Sequence, residues 1–239
     1  MNQIHTTIGE IAAADFRKVH ILNKYGIDFC CGGKKTLQQA CQEKGLEVNK
    51  MISEMELQQP LNSGSINHFI EWDLGFLLQY ILVNHHCYLK RELPEINRLL
   101  TRVVVVHGAN HSELSSMARY FAALKAELEM HMHKEEEILF PFITELLAAR
   151  EEGKPMEAFH CGHIAQPIAV MEMEHESAGA NLKKIRESSA DFAVPEDACN
   201  TYRLTLVKLE ELETDLHQHI HLENNILFPK AIELEQSVC

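Results

Sequence analysis

Residues 131–141 of this chain read His-Met-His-Lys-Glu-Glu-Glu-Ile-Leu-Phe-Pro, and residues 219–229 read His-Ile-His-Leu-Glu-Asn-Asn-Ile-Leu-Phe-Pro. Aligned 88 positions apart, the two stretches share two histidines, one glutamate and the whole Ile-Leu-Phe-Pro tail. Such a repeat indicates that one helical unit occurs twice in the chain.

Each copy places a histidine and a glutamate on one helix face. His131 and Glu135 are four residues apart, as are His219 and Glu223. Side chains at that spacing project from the same side of a helix, about one turn apart. Imidazole nitrogen and carboxylate oxygen together suit iron or manganese better than a thiophilic metal. We therefore expect the two faces to point at each other and to hold two metals.

Long helical patterns dominate the chain from Ile66 onward, without strand patterns between them. Breaks at Pro94, Gly153-Lys-Pro155 and Pro195 separate these patterns. The four predicted helices cover residues 66–93, 112–149, 161–189 and 196–235. Four helices of this length predict an all-α, up-down four-helix bundle.

The His–Glu pairs lie within the apolar stripes of the second and fourth helices. Apolar side chains recur at steps of three and four on both sides of each pair. The flanking residues are Leu124, Leu128, Ile138 and Phe142 on the second helix, and Leu209, Leu212, Leu216 and Ile226 on the fourth. The pairs are therefore predicted to face the core, where unpartnered carboxylates would be costly and a metal cluster would satisfy them.

The repeat extends to the first and third helices. Leu82-Val-Asn-His-His86 aligns with Met171-Glu-Met-Glu-His175, 89 positions later. Each half then contributes one histidine from its first helix, His86 or His175. His85 could also reach an inward face, and only the register of the two halves favours His86. The predicted ligands are His86, His131, Glu135, His175, His219 and Glu223.

Six nitrogen and oxygen ligands, with carboxylates able to bridge, suit two octahedral irons. Zinc prefers four tetrahedral ligands, commonly with cysteine, and no cysteine falls on the inward faces. Magnesium and calcium prefer oxygen ligands without imidazole. We therefore expect two iron ions, with manganese as the alternative. His133 and His221 also recur, but they lie off the stripe, and we expect them at the surface or behind the ligands.

Residues 1–57 have short, punctuated helical patterns and are predicted to form a separate small helical domain. Thr36 is predicted to cap a helix that runs to Lys44, with Gly45 just beyond its C-terminus. Residues 58–65 are polar and turn-rich, which is typical of a linker. Residues 66–239 then form the bundle of two duplicated helical hairpins.

Cys30-Cys31-Gly32-Gly33 is the chemical feature of the small domain. The two glycines allow the backbone to approach a partner, and the N-terminus of the following helix would lower a thiol pKa. We predict that Cys30 and Cys31 act as redox or iron-transfer thiols. The alternative is a packed thiol beside a Gly-Gly turn.

The composition narrows the range of partners. A formal net charge of −13 over 239 residues disfavours nucleic acid and anionic membrane surfaces. The N-terminus lacks the features of a signal peptide, and no stretch approaches the ~20 apolar residues of a membrane span. Seven irregularly spaced cysteines fit reduced thiols in a cytosol. We expect a cytoplasmic protein, and the sequence leaves open whether it forms a homodimer.

With these motifs in view, the chain resembles the repair-of-iron-centres family, di-iron proteins implicated in restoring damaged iron–sulfur clusters. Asp28-Phe-Cys-Cys-Gly-Gly-Lys34 is similar to the N-terminal signature of that family. Residues 131–141, 171–176 and 222–229 are similar to its hemerythrin-like half. The resemblance implies that Glu135 and Glu223 bridge two irons, and that the protein acts in the cytoplasm under nitrosative and oxidative stress.

One departure from oxygen-carrying hemerythrins concerns the third helix. Those proteins place a second histidine four residues after the third-helix ligand, where this chain has Gly179. With one imidazole fewer, the cluster is held less tightly. The difference favours iron release or reaction with nitric oxide over reversible oxygen carriage.

The sequence therefore predicts repair of iron–sulfur clusters, by supplying iron or by removing nitric oxide, with iron–sulfur proteins as clients. Two alternatives remain: an enzyme that reduces nitric oxide, and a carrier or sensor of oxygen or nitric oxide. The sensor is disfavoured because the chain has no recognisable output domain.

Overall fold

The computed structural model describes residues 3–57, 69–154 and 163–238. Apart from one isolated bridge between Thr7 and Thr36, all regular structure in these ranges is helical. Four short helices form the N-terminal part: α1 (Ile8–Ala14), α2 (Val19–Lys24), α3 (Leu37–Lys44) and α4 (Val48–Glu56). The predicted linker, 58–65, lies outside the described residues.

Four long helices follow, three of them built from consecutive segments. Helix α5 comprises Leu74–Tyr80, Ile81–His86 and Cys87–His107, and α6 comprises Glu113–Lys134, Glu135–Leu139 and Phe140–Glu152. Helix α7 is Ala165–Ser188, and α8 comprises Asn200–Leu222, Glu223–Leu227 and Phe228–Val238. Because α5 packs on α6 and α8, and α6 packs on α7, the predicted all-α four-helix bundle is confirmed.

Local sequence signals set several helix ends. The Thr36 side chain accepts a hydrogen bond from the backbone of Gln39, whose side chain accepts one from the backbone N–H of Thr36, a capping box at the start of α3. Gly45 ends that helix with a φ of 65°, a left-handed conformation that glycine adopts without strain. The predicted start, end and cap of α3 are thus confirmed.

The prediction that Pro94 ends the first bundle helix is wrong. Pro94 is exposed and lies inside α5, which continues to His107. An interior proline removes one backbone hydrogen bond and costs about 3 kcal/mol. Leu93, Ile96 and Leu100, on either side of it, are buried in the bundle core and offset that cost. The predicted helix 66–93 is therefore too short at its C-terminal end.

Within the described part of the bundle, three turns are π-helical, and each contains a predicted ligand. They are Ile81–His86, Glu135–Leu139 and Glu223–Leu227. A π turn adds a residue to one helical turn, so it changes which side chains face inward beyond it. On α6, Leu139 and Phe140 lie in the core and Ile138 is 45% exposed, so the prediction that Ile138 faces the core is wrong. The aligned Ile226 occupies the same position in the equivalent turn of α8, where α1 of the small domain packs, and it is 2% exposed.

Two apolar layers fill the bundle, and the small N-terminal domain has its own core. One layer is centred on Leu77, Ile143 and Phe228, and the other on Leu93, Phe121 and Leu212. The N-terminal core includes Ile220 of α8, so the small domain packs directly on the bundle. No helix among the described residues is both long enough and apolar enough to span a bilayer.

Candidate metal centre

Four histidines and two glutamates meet between the two apolar layers of the bundle. Each is at most 2% exposed. They come from all four long helices: His86 from α5, His131 and Glu135 from α6, His175 from α7, and His219 and Glu223 from α8. The structure thus brings together the six residues that the repeat singled out.

The six residues form two groups that share both glutamates. One group is His86, His219, Glu135 and Glu223, and the other is His131, His175, Glu135 and Glu223. Within each group the ligand atoms lie within 4.8 Å of one another. We call them the 86/219 half-site and the 131/175 half-site. Carboxylates that belong to both half-sites can bridge two cations, one in each half-site.

Individual distances are those of ligands converging on a common point. His86 Nε2 lies 3.4 Å from Glu135 Oε2, and His219 Nε2 lies 2.9 Å from Glu223 Oε1. In the other half-site, His131 Nε2 and His175 Nε2 are 2.9 Å apart. Imidazole nitrogens that face each other at this distance fit two ligands of one cation.

Buried polar atoms without partners test whether this site fits a metal. Both carboxylate oxygens of Glu135, Oε2 of Glu223 and Nε2 of His86 make no hydrogen bond to any described residue. Burying such groups without hydrogen bonds costs several kcal/mol. The nearest groups are imidazole nitrogens at 3.1–3.4 Å, which offset that cost only when they carry protons. Cations coordinated by these atoms remove that cost, so the donor set fits a metal. Imidazole with carboxylate suits iron or manganese.

The electrostatics also call for positive charge. Burial opposes a proton on His86, but Glu135 and Glu223 outweigh it and raise the pKa of His86 to about 10. Burial likewise opposes charge on His131, yet the same two carboxylates and Glu174 raise its pKa to about 9. The two glutamates thus favour protons on His86 and His131, whereas burial lowers the pKa of His219. A divalent cation takes the place of those protons.

In three of the four histidines, Nδ1, the ring nitrogen that faces away from the candidate metal centre, contacts an oxygen that was not predicted from the sequence. His86 Nδ1 lies 2.8 Å from Glu136 Oε1, and His175 Nδ1 lies 2.8 Å from Asn224 Oδ1. Both partners directly follow a predicted bridging glutamate, a signal that could have found them. His131 Nδ1 lies 2.9 Å from Glu174 Oε2. Such partners fix the tautomer of a ligand and raise its basicity.

The repeated Ile-Leu-Phe-Pro tails also contribute to the site. Phe140 stacks on the His86 ring at 5.5 Å between centroids, and Phe228 stacks on His175 at 6.0 Å. The tails therefore wall off the first-helix histidine of each half from solvent, a role that the sequence alone did not suggest.

His85 is buried but belongs to neither ligand group. Its Nδ1 lies 2.9 Å from Asp215 Oδ1, and its ring is stacked on His219 at 5.1 Å with an interplanar angle of 9°. Of the two neighbouring histidines, His86 is the one that lies in a candidate ligand group.

His133 and His221 differ from each other in location. His133 is exposed, as expected. His221 is fully buried, against the rings of Phe16 and Phe29 of the small domain and beside Asn225. It lies neither at the surface nor behind a ligand, because the small domain covers this face of α8.

The thiol pair lies close to the metal centre. Cys31 Sγ is 3.5 Å from the backbone oxygen of His175 and 3.7 Å from the position that a Cβ on Gly179 would take. The glycine that replaces a hemerythrin histidine therefore faces a cysteine of the other domain. A cavity of about 900 Å³ opens here and is lined in part by both cysteines, Gly179 and His217.

Cys30 and Cys31 are free thiols whose sulfur atoms are 3.9 Å apart. Asp28 Oδ1 accepts hydrogen bonds from both of their backbone N–H groups and lies 3.1 Å from Cys30 Sγ. The neighbouring Cys31, burial and Asp28 raise the pKa of Cys30 well above its usual value. The prediction that a helix N-terminus lowers it is wrong, since the next helix begins only at Leu37.

Comparison with known proteins agrees with this two-part arrangement. Residues 77–231 match the hemerythrin HHE cation-binding domain, and residues 4–59 match a domain of unknown function, ScdA_N. The chain is 35% identical to the iron-sulfur cluster repair protein YtfE of Enterobacter sp. (strain 638), covering 94% of this chain and 96% of the relative. It is 36% identical to YtfE of Pectobacterium carotovorum subsp. carotovorum (strain PC1), over 96% and 97%. YtfE of Yersinia pestis (strain Pestoides F) is 32% identical, over 98% and 100%.

Proposed function

Because this chain belongs to the family of hemerythrin-type iron–sulfur cluster repair proteins, we propose that it repairs damaged iron–sulfur clusters by supplying iron from a di-iron centre. The irons are held by the six buried residues, with Glu135 and Glu223 bridging. Its clients are iron–sulfur proteins, and its compartment is the cytoplasm, where its thiols remain reduced.

One observation carries the proposal: two buried four-residue groups share both glutamates and lie next to a pair of free thiols. Histidine and carboxylate retain iron, whereas two thiols resemble the ligands of the cluster that is to be rebuilt. The buried histidines and glutamates would therefore hold the iron, and the adjacent thiols would receive it on its way to the client.

When bound, the two ferrous ions supply exchangeable, redox-active cations. The side chains of the protein hold these ions, exclude water from them and accept the protons that the thiols release. Phe140 and Phe228 shield the store. Cys30 and Cys31 give up protons when they bind a cation, and Asp28 Oδ1, 3.1 Å from Cys30 Sγ, is placed to accept one.

Nitric oxide chemistry is the second candidate, supported by the cavity that leads from solvent to Gly179. A small diatomic ligand would reach the 131/175 half-site through it, since Gly179 lies one helical turn beyond His175. In this case the same centre would reduce or bind nitric oxide or oxygen.

A direct comparison tests the two candidates. Full-length protein loaded with ferrous iron is mixed anaerobically with a cluster enzyme that has lost iron, and recovery of that enzyme's activity is followed. In parallel, conversion of nitric oxide to nitrous oxide is measured. We expect recovery of the client together with loss of iron from the protein. Catalytic nitrous oxide formation without iron transfer would overturn iron donation in favour of the second candidate.

The contribution of the thiols is tested with Cys30→Ser/Cys31→Ser and, as a matched control, Cys199→Ser, which alters an exposed thiol outside the site. The double variant should keep its iron and lose at least about tenfold in repair rate, as expected for removing ligands from a transfer site. The control should repair at the normal rate. Normal repair by the double variant would show that the thiols only pack.

A further inference from the structure

The duplication breaks down at one position beside the metal centre. The alignment that pairs His86 with His175 also pairs the residue before each, so His85 corresponds to Glu174. In the alignment of the second helix of each half, which is offset by 88 positions, His131 corresponds to His219. The carboxylate of Glu174 in the second half thus corresponds to the imidazole of His85 in the first half. Each of the two contacts a predicted ligand, His131 or His219.

The consequence is visible behind the two corresponding histidines. Glu174 Oε2 lies 2.9 Å from His131 Nδ1, and Glu174 is itself paired with Lys134. Behind His219, the ring of His85 lies stacked at 5.1 Å and directs its Nδ1 to Asp215. His219 Nδ1 is buried and has no hydrogen-bond partner among the described residues.

The two half-sites therefore differ in how their ligands are held. In the 131/175 half-site, both rings are fixed from behind, by Glu174 and Asn224. In the 86/219 half-site, only His86 is fixed, by Glu136, and His219 is not. A hydrogen bond from a ligand imidazole to an acceptor orients the ring and strengthens donation to the metal, and losing it weakens binding about 10–100-fold.

We propose that the two half-sites hold iron unequally, and that the 86/219 half-site releases its iron first. The proposal rests on the proposed function, in that both half-sites hold iron. The more tightly held iron keeps Glu135 and Glu223 neutralised after the first has left, so the buried carboxylates are not left unpaired. The protein then delivers one iron at a time.

Release to an excess of a colorimetric ferrous chelator, using full-length two-iron protein under anaerobic conditions, tests this. We expect two phases of equal amplitude, one iron each, with rates at least about tenfold apart. A single phase that accounts for both irons would overturn the proposal while leaving the di-iron assignment intact. A protein that binds fewer than two irons would overturn both, so the two failures are distinguishable.

Paired variants assign the phases to the half-sites. Glu174→Met removes the acceptor behind His131 and should accelerate only the slow phase. Glu136→Met removes the acceptor behind His86 and should accelerate only the fast phase. The opposite assignment would overturn the proposal. These variants alter partly exposed residues, so circular dichroism is sufficient to verify their folding.

His85→Gln supplies the missing acceptor. The variant is designed so that the amide nitrogen takes over the donation to Asp215 and the amide oxygen is offered to His219 Nδ1, as Asn224 Oδ1 is to His175 Nδ1. We expect the fast phase to slow about tenfold and the slow phase to stay unchanged. A role of His85 in packing alone would not slow release from one half-site selectively, and an unchanged fast phase in a folded variant would contradict the proposal.

Discussion

At the scale of single residues, the two shared glutamates provide the test of the proposed two-metal site. Glu135 and Glu223 are fully buried, and each belongs to both half-sites. Replacing either with alanine should therefore weaken both cations at once. We expect Glu135→Ala and Glu223→Ala to retain at most one iron per chain, measured by metal analysis after gel filtration.

The matched control for the glutamate variants is His133→Ala, an exposed histidine from the same repeat. It should retain two irons and normal stability. His221→Ala should also retain two irons, but it should unfold more easily because it empties a buried position between the domains. If His133→Ala lost its metal while His131→Ala kept it, the assignment of ligands would be in the wrong register.

Cys199 is the thiol for which the structure predicts unusual reactivity. Backbone hydrogen bonding at Tyr202 and the His107 ring, 3.1 Å away, lower the pKa of Cys199 to about 7. Its thiolate fraction therefore rises as the pH increases through 7. At pH 7, iodoacetamide should label it about three- to fourfold faster than a thiol of ordinary pKa, about 8.5, because its larger thiolate fraction is partly offset by weaker nucleophilicity. Labelling should level off above about pH 8.

Mass spectrometry of pulse-labelled peptides measures this reactivity, and His107→Ala is the informative variant. Loss of the imidazole should reduce labelling of Cys199 at pH 7 and shift its pH profile upward. Equal labelling of Cys199 in the two proteins would show that His107 does not influence the thiol.

The residues that meet at the candidate metal centre were predictable because the repeat fixes their register, and Glu136 could have been found because it follows Glu135. Glu174 had no such signal, since whether it reaches the His131 ring depends on the rotation of each helix about its axis, which one sequence does not specify. The burial of His221 was unpredictable for another reason, since it depends on how the small domain packs on α8.

At the scale of helices, the π turns distinguish this bundle from four regular helices. A π turn leaves little trace in an apolar pattern, so the sequence did not predict these turns. Ile138 was predicted wrongly for a different reason: the aligned Ile226 is buried in the same kind of turn, where α1 covers α8, and one sequence does not specify which copy of the repeat is covered. The extra residue in the segment Glu135–Leu139 allows Glu135 to reach the metal centre while Phe140 and Ile143 remain in the core.

Deleting Ile138 tests the role of this turn. The deletion should restore a regular helix and rotate everything beyond it by about 100°, which turns Phe140 and Ile143 out of the core. We expect a loss of several kcal/mol in unfolding free energy and loss of iron, measured by denaturation and metal analysis. Ile138→Ala, at the same exposed position, should stay within about 0.5 kcal/mol of the parent. Unchanged stability and iron content in the deletion variant would show that the extra residue is dispensable.

At the scale of the whole molecule, the small domain is a structural part of the metal protein. Asn225 of α8 donates from Nδ2 to the backbone oxygens of Phe29 and Cys30, which ties the thiol loop to the bundle. Asn225 Oδ1 lies so close to the backbones of Gly9 and Gly33 that a Cβ on either residue would be 2.1 or 2.5 Å from it. The sequence predicted a small helical domain and a bundle. It did not reveal that Gly9 and Gly33 mark the surface on which the small domain contacts α8.

Substitution of Gly9 tests that contact, because helix propensity and packing predict opposite signs. Within α1, Gly→Ala would by propensity stabilise the protein by up to about 1 kcal/mol. A Cβ at Gly9, however, would lie 2.1 Å from Asn225 Oδ1. Overpacking of this kind costs about 1–3 kcal/mol, so we expect Gly9→Ala to be destabilising in thermal unfolding, with slower repair and two irons retained.

Two further variants separate the clash from any general effect of the substitution. Gly179→Ala, also within a helix, places its Cβ 3.7 Å from Cys31 Sγ, an ordinary contact, and should raise the unfolding free energy by about 0.5–1 kcal/mol. In an Asn225→Ala background the closest obstacle to a Cβ at Gly9 is removed and the Gly33 backbone oxygen remains at 3.1 Å, so Gly9→Ala should cost less there than in the parent. Additive effects of Gly9→Ala and Asn225→Ala would contradict the contact, because residues that clash directly must couple in a double-mutant cycle.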